Sequence, residues 1–436
     1  MKRIGLVFFT LSTLLSAQEP SLTLQKAWEM ALRDNPSEEV AMARLQQAEA
    51  RYRQARSRYQ PQLALQAGGT RLTYSDTQQM RIPGSPDSTE LYEAGLNATW
   101  LLWDSGTRKN EVAASGLEAE AALSASYDSR EQLLAQVGRA FTAAQLAQAN
   151  LRIAESDMEF QDRQLENSRR KEAAGMDSRT DRLNFEIRKL TSENTAVQQA
   201  ADFAGAMAAL GALLGRESDS PLPAPVRIEE DQPSLPDEQG EISELWHQAQ
   251  QNLPILHQTR LQEEAARAAS KSISGQYGPE IALFGNLSAE REEDPAFTNG
   301  DLGNAVGIQL SWDLWDGNLR REQVREADAR IREAEGQSRQ IRLQAFAELQ
   351  QAHADYAASL KSETLSATIL DRSRENRDLI EASFEAGRDT LLRLNEAQRD
   401  FNNAETRFVS ARLQRQLSWI DLQKAIGKLR EQVESK

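Results

Sequence analysis

The chain of 436 residues contains no cysteine. That absence excludes a disulfide framework, a thiolate metal site and the cysteine on which a bacterial lipoprotein anchor is built. Histidine is almost as scarce. His247, His257 and His353 all fall in helical segments, without an HExxH pairing, and the first two occupy different helix faces, so packing or solvation suits them better than metal binding. Lysine and arginine number 51 against 66 acidic residues, a net charge of −15, which argues against nucleic acid as a partner. The acidic excess is spread along helical segments and reads as a solvated face. Glycines are scattered and none forms a phosphate-binding loop, while carboxylate pairs are too common to mark an acid and its base. No catalytic residue, cofactor site or metal site follows from the sequence.

Long apolar runs are missing too. After residue 17 nothing is long enough for a membrane helix, and mean hydropathy is −0.62. A membrane β-barrel stays open, because barrel strands are only about ten residues long and half polar. Proline is absent between Pro86 and Pro221 and again beyond Pro295. Proline breaks helix interiors, so these intervals have room for very long helices.

What is present begins with Lys2 and Arg3, an apolar run from Ile4 to Leu15, and Ser16-Ala17. This predicts a secretory signal peptide over 1–17, and without its two cations the net charge becomes −17.

The rest of the chain reads as one module given twice. Trp28 recurs as Trp246, and Asn35-Pro36 is echoed by Asn252 and Pro254. Tyr59-Gln60-Pro61-Gln62-Leu63 returns as Tyr277-Gly278-Pro279-Glu280-Ile281, Trp100-Leu101-Leu102-Trp103-Asp104 as Trp312-Asp313-Leu314-Trp315-Asp316, and Ala174-Gly175 as Ala386-Gly387. The offset tightens from about 218 to about 212, which places a short insertion between Tyr74 and Leu91. The modules cover 18–215 and 241–430. A proline-rich acidic linker, 216–240, separates them, and 431–436 forms a tail.

Within each module the period changes. Gly106 to Ala174 and Asn318 to Ala386 are rich in helix formers, and Leu134, Val137, Phe141, Ala144, Leu151, Ala154 and Met158 follow coiled-coil spacing. Continuous helices of this length would extend about 100 Å. Shorter helices are predicted over Leu24–Tyr59, Ser178–Leu214, Ile242–Gln276 and Thr390–Leu429. Gly175 and Gly387 suit left-handed C-caps, with Asp177 and Asp389 as candidate N-caps of the helices that follow. The tips so formed lie at about 172–181 and 384–396.

Four segments alternate with period two: Gln62 to Tyr74, Tyr92 to Trp100, Glu280 to Glu290, and Val306 to Leu314. They predict one antiparallel hairpin per module, about 62–103 and 279–315. Four strands cannot close a barrel, and an open sheet with one apolar face exposes its edges. Either helices cover the sheet, as in a soluble protein, or other subunits complete it. Trp100, Trp103, Trp312 and Trp315 stand near strand ends, where a membrane barrel carries its aromatic girdle.

The doubled order of helix, hairpin, long helix, glycine turn and helix resembles the TolC-like outer membrane efflux proteins. Trp100 to Gly106 is similar to that family's strand-to-helix junction. Ala386-Gly387 with Leu391, Leu392, Leu394, Asn395, Glu396, Ala397 and Gln398 is similar to its helical tip. The resemblance spans Ser21 to Arg430.

It implies an α+β membrane protein: a homotrimer whose chains each give four strands to one twelve-stranded barrel, with the long helices forming a periplasmic tube. It also implies a passive exit duct of a tripartite efflux or type I secretion system, located in the outer membrane among its lipid. The expected partners are a periplasmic adaptor and an inner-membrane transporter. For the periplasmic aperture the resemblance points to Asp177, Asp181, Phe384, Arg393 and Glu396, although Arg393 stands where the family carries an acid. For adaptor contact it points to Gly175, Arg179, Gly387, Arg388 and Asp389. The rival readings are a periplasmic coiled-coil scaffold without a channel and a secreted hydrolase with helical insertions.

Overall fold

The computed structural model describes residues 22–75, 77, 88–175, 178–216, 235 and 240–434. The expected signal peptide, Asp177 and most of the linker 216–240 lie outside the described residues.

The elements are α1 (Leu24–Asp34), α2 (Pro36–Ser57), β1 (Gln62–Thr73), β2 (Ser88–Trp103), α3 (Thr107–Ala173), α4 (Arg179–Leu213), α5 (Ile242–Asn252), α6 (Pro254–Gly275), β3 (Glu280–Glu292), β4 (Leu302–Ser311), α7 (Leu319–Glu385), α8 (Leu391–Ala425) and α9 (Leu429–Glu434). The two long helices have 67 residues each, as the proline-free intervals predict. The helices expected over Leu24–Tyr59 and Ile242–Gln276 are each two. They break before Pro36 and Pro254, because a proline forces its predecessor out of the helical region: Asn35 has ψ 127° and Leu253 ψ 114°. The last strand starts at Leu302 and stops at Ser311, so the alternation expected to Leu314 outruns the ladder by three residues.

Two compact units form. One contains Met1–Glu38, Ser129–Asn252 and Phe346–Lys436, and the other Glu39–Asp128 and Leu253–Ala345. Both sequence modules contribute to each unit.

The core of the first unit lies where α1, α3, α4, α8 and α9 meet. Trp28, Leu134, Val137, Phe141, Leu210, Leu214, Ile420 and Leu429 are all buried there. The Trp28 indole donates to the Leu134 carbonyl at 2.8 Å, which satisfies its one polar atom. Gly138 allows α3 and α8 to approach closely: a Cβ at that position would sit 2.9 Å from Ile420 Cδ1. Of the coiled-coil positions, Leu134, Val137, Phe141 and Ala144 are fully buried, whereas Leu151 and Met158 are only half-buried.

The second unit contains the sheet, antiparallel in the order β1-β2-β3-β4. Every residue of β1 is exposed and β4 is nearly so. The expectation of one hairpin per module is met, and β2 pairs with β3 across the modules.

Candidate functional site

Register alone separates the two faces of the sheet. Leu65 faces Leu96, which faces Leu287; Leu63, Ala98, Gly285 and Val306 form the next row, and Trp100, Leu283 and Ile308 the one after. This face is apolar across these rows apart from Asn304, which stands opposite Leu287 on β4. Charge enters it only at the end far from the long helices, where Arg71 opposes Glu90 and Arg291 pairs with Asp294 and Asp301. The opposite face is polar. Gln66, Asn97 and Asn286 are linked there by side-chain hydrogen bonds, and Glu93 stands directly opposite Glu290.

The strand-to-helix junction is built twice from the same parts. In the first copy the Trp100 indole donates to the Tyr59 carbonyl at 2.9 Å. Arg108 donates from Nε to Asp104 at 2.7 Å and from its guanidinium to the carbonyls of Leu101 and Arg58, while stacking 4.6 Å from the Tyr59 ring centroid. In the second copy Trp312 donates to Tyr277, and Arg320 bonds to Asp316, Asp313 and Gln276 over the Tyr277 ring. Each arginine thus ties the end of one helix, the end of a strand and the start of a long helix together. The chain reverses between them through left-handed residues, Ser105 and Gly106 in one copy and Gly317 and Asn318 in the other. The bonds from the Arg320 side chain and backbone hold the Asp316 carboxyl below its ordinary range. Sequence reasoning found the tryptophans and missed the arginines. Trp103 and Trp315 remain free of the junction, 57% and 79% exposed, and Leu314 beside them is 78% exposed.

At the tips Gly175 and Gly387 have φ of 74° and 70°, as C-capping requires. Arg388 N–H bonds to the Ser383 carbonyl and Gly387 N–H to that of Phe384, so α7 ends in a Schellman turn. The expected N-caps are displaced by one residue. Ser178 and Thr390 cap α4 and α8, since their hydroxyls accept from the third helical residue on extended backbone. Asp389 instead accepts from Thr390 N–H and pairs with Arg393 at 3.1 Å on its own tip. Asp181 accepts the Ser178 hydroxyl at 2.6 Å, and Arg179, Arg388 and Glu396 are exposed. Phe384 lies under the Lys171 ammonium, 5.0 Å from its ring centroid, and so joins α7 to α3. Lys189 on α4 lowers the Asp162 carboxyl on α3 by hydrogen bonding and charge, and its own ammonium is raised in return.

Among the described residues no helix is long and apolar enough to cross a membrane, and no group of three or more metal-ligating side chains gathers. What the chain offers is an amphipathic sheet, two stapled junctions and two helical tips. The sequence profile of the outer membrane efflux proteins matches residues 27–216 and 245–428. The chain belongs to the outer membrane efflux protein family. It is similar to protein CyaE of Bordetella pertussis, 26% identical over 416 residues that cover 94% of this chain and 84% of CyaE. It is 25% identical to the cobalt-zinc-cadmium resistance protein CzcC of Cupriavidus metallidurans, over 89% of this chain and 86% of CzcC. The fold is shared with the solved outer membrane protein VceC of Vibrio cholerae, at a TM-score of 0.78 and 20% identity, over 93% of this chain and 96% of that one. Members of the outer membrane efflux protein family are passive channels rather than enzymes, and this member's place is the cell outer membrane, with most of the chain in the periplasm.

Proposed function

We propose that the chain is one third of a passive exit duct. Three copies close a twelve-stranded barrel in the outer membrane, and their long helices continue as a periplasmic tube. Cargo enters from an inner-membrane transporter by way of a periplasmic adaptor, in a tripartite efflux or type I secretion system, and leaves chemically unchanged. The kinship to a protein named for cobalt-zinc-cadmium resistance supports the efflux branch. Selection of cargo belongs to the transporter.

The observation that carries this reading is the uncovered sheet. Leu63, Leu65, Val306, Ile308 and Leu310 are more than 60% exposed on one face, and the outer edges of β1 and β4 have no ladder partner among the described residues. An apolar face with two open edges is a template for association, and lipid on the face with a neighbouring copy at each edge removes both liabilities. The helices repeat the pattern. Along α4, Leu183, Ile187, Leu190 and Val197 form an exposed stripe, and Leu365, Ile369 and Leu379 form another on α7. In the trimer the stripe on α4 of one copy meets the stripe on α7 of the next.

Asp181, Phe384, Arg393 and Glu396 line the periplasmic aperture, and the adaptor grips near Gly175, Arg179, Gly387, Arg388 and Asp389. The test is electron microscopy of detergent-extracted protein. A threefold tube with an open lumen and a detergent-covered barrel at one end supports the duct. A filled helical rod, or a monomer that needs no detergent, sinks it and favours the scaffold.

A further inference from the structure

The offsets that relate the two modules hold to the residue in the structure. They carry α2 (Pro36–Ser57) onto α6 (Pro254–Gly275) and α3 (Thr107–Ala173) onto α7 (Leu319–Glu385). They hold in the sheet as well, where the pair Gln62 and Thr99 corresponds to the pair Glu280 and Ser311, and both pairs form. One element breaks the rule. β2 runs to Trp103, whereas its counterpart β4 stops at Ser311, so residues 312–315 lack the ladder that Trp100–Trp103 have. The cause is a missing neighbour. Trp100, Leu101 and Trp103 pair with Leu283, Ala282 and Ile281 of β3 around a bulge at Leu102, and β4 has no such strand on its outer side among the described residues.

The two junctions differ in the same way. The first is covered by the end of α6 and the start of β3. Ser272 Oγ donates to the Thr107 carbonyl at 2.9 Å, and Ser105 Oγ donates to the Pro279 carbonyl at 2.9 Å. Gly278 permits this approach, because a Cβ there would collide with the Cβ and Oγ of Ser105. At the second junction the same places are bare. Thr107 is 7% exposed but its counterpart Leu319 is 59% exposed, and Gly317, the counterpart of Ser105, has nothing within 4 Å of an added Cβ.

The segment 272–283 thus has two contacts: it holds its own junction through Tyr277 and covers the other. Its counterpart, 54–65, holds its own junction through Tyr59, while Gln54, Ser57, Gln60 and Pro61 stay exposed. The uncovered junction and the unused side of 54–65 are the two halves of one contact. Within one chain they cannot meet, because β1 and β4 are the opposite edges of the sheet. Their sizes are also exchanged. The first junction sets Ser105 against Gly278, and the second offers Gly317 where the facing counterpart is Gln60.

We infer that residues 54–65 of a neighbouring copy seat on residues 312–319, with Leu65 opposite Trp312, Leu63 opposite Trp315 and the Gln60 side chain over Gly317. β4 lengthens to Trp315 as it gains this partner, with a bulge at Leu314. A head-to-tail contact of this kind closes into a ring when its rotation allows. The inference rests on the duct reading and adds the register and the seat by which the copies join. Ser57 stands where α6 has Gly275, whose added Cβ would lie 2.8 Å from Thr107 Oγ1, so two copies stand slightly further apart there than the two modules do.

The test is the trimer fraction of the detergent-extracted protein, read by native mass spectrometry, in Gly317→Ser and in Gly317→Ser with Gln60→Gly. Serine fits this backbone, since Ser105 has φ of 55° at the equivalent place. Gly317→Ser is expected to collide with the neighbour's Gln60 at its Cβ, which no rotamer moves, and to lower the trimer fraction at least tenfold. The double variant rebuilds the pairing of Ser105 with Gly278 and is expected to restore it. A wild-type trimer fraction in folded Gly317→Ser, or no recovery in the double variant, overturns the inference. If Gly317→Ser does not fold, Ser57→Cys with Leu319→Cys decides: oxidation is expected to give a covalent trimer, and monomer alone overturns the seat. A wild-type chain that stays monomeric refutes the duct itself, which is a separate result.

Discussion

Arg108 Nε lies 2.7 Å from Asp104 Oδ2, with both side chains under a tenth exposed, and the same guanidinium reaches two carbonyls from other elements. Removing the guanidinium leaves the Asp104 carboxylate charged and buried, with the backbone N–H of residue 108 as its remaining partner at 2.8 Å. Arg108→Met is therefore expected to destabilise the junction by about 3 kcal/mol or more. Arg108→Lys is expected to rescue little, because an ammonium lacks the planar fork that reaches the carboxylate and two carbonyls at once. Denaturant unfolding of the extracted protein measures both, and full stability in Arg108→Lys would contradict the staple.

The second staple makes stability depend on pH in acid. Hydrogen bonds from Arg320 lower the Asp316 carboxyl, so the folded state binds that proton less readily than the unfolded chain. Its contribution is present above the ordinary carboxylate pKa of about 3.9 and is lost as pH falls through the lower folded value. Asp316→Asn is expected to lower the unfolding temperature at pH 7 and to flatten its decline below about pH 4. A decline as steep as in wild type would assign the acid sensitivity to other carboxylates.

The long helices were legible because their limits are written in residues with one structural meaning. Proline is absent inside them, and Gly175 and Gly387 take the left-handed turn that ends them. The N-caps were less legible, since an acid and a hydroxyl residue stand side by side at each tip and both types cap helices; only backbone geometry selects Ser178 and Thr390. Arg108 and Arg320 left no signal, because pairs four residues apart are common in a chain this charged. What makes these two special is Tyr59 and Tyr277, some fifty and forty residues earlier. Gln161, which is buried, keeps the spacing of Met158, but glutamine is also an ordinary surface helix former.

The absence of cysteine makes closure of the barrel directly testable. A cysteine at Leu65 on β1, combined in turn with one at Ile308 or Leu310 on β4 or at Trp312 just beyond it, gives three registers against a background with no other thiol. Cross-strand neighbours bring Cβ atoms to about 4.5–5.5 Å, close enough for oxidation to link them. The expected product is a covalent trimer for one register and monomer for the others. Monomer at every register would mean that β1 and β4 of neighbouring copies do not pair.

The tip turns give the last prediction. Gly387 has φ of 70°, and nothing lies within 4 Å of an added Cβ, so Gly387→Ala is opposed by backbone strain alone and not by a clash. Left-handed backbone costs an L-residue about 1–2 kcal/mol. The Schellman bonds from Gly387 and Arg388 to Phe384 and Ser383 would open more often by that margin, which is about five- to thirtyfold. Hydrogen exchange at the amides of Gly387 and Arg388 reads the change, while amides near Ile420, in the apolar core of the same unit, keep their protection. Loss of protection at both places would show that the tip is not a separate opening unit but unfolds together with the core.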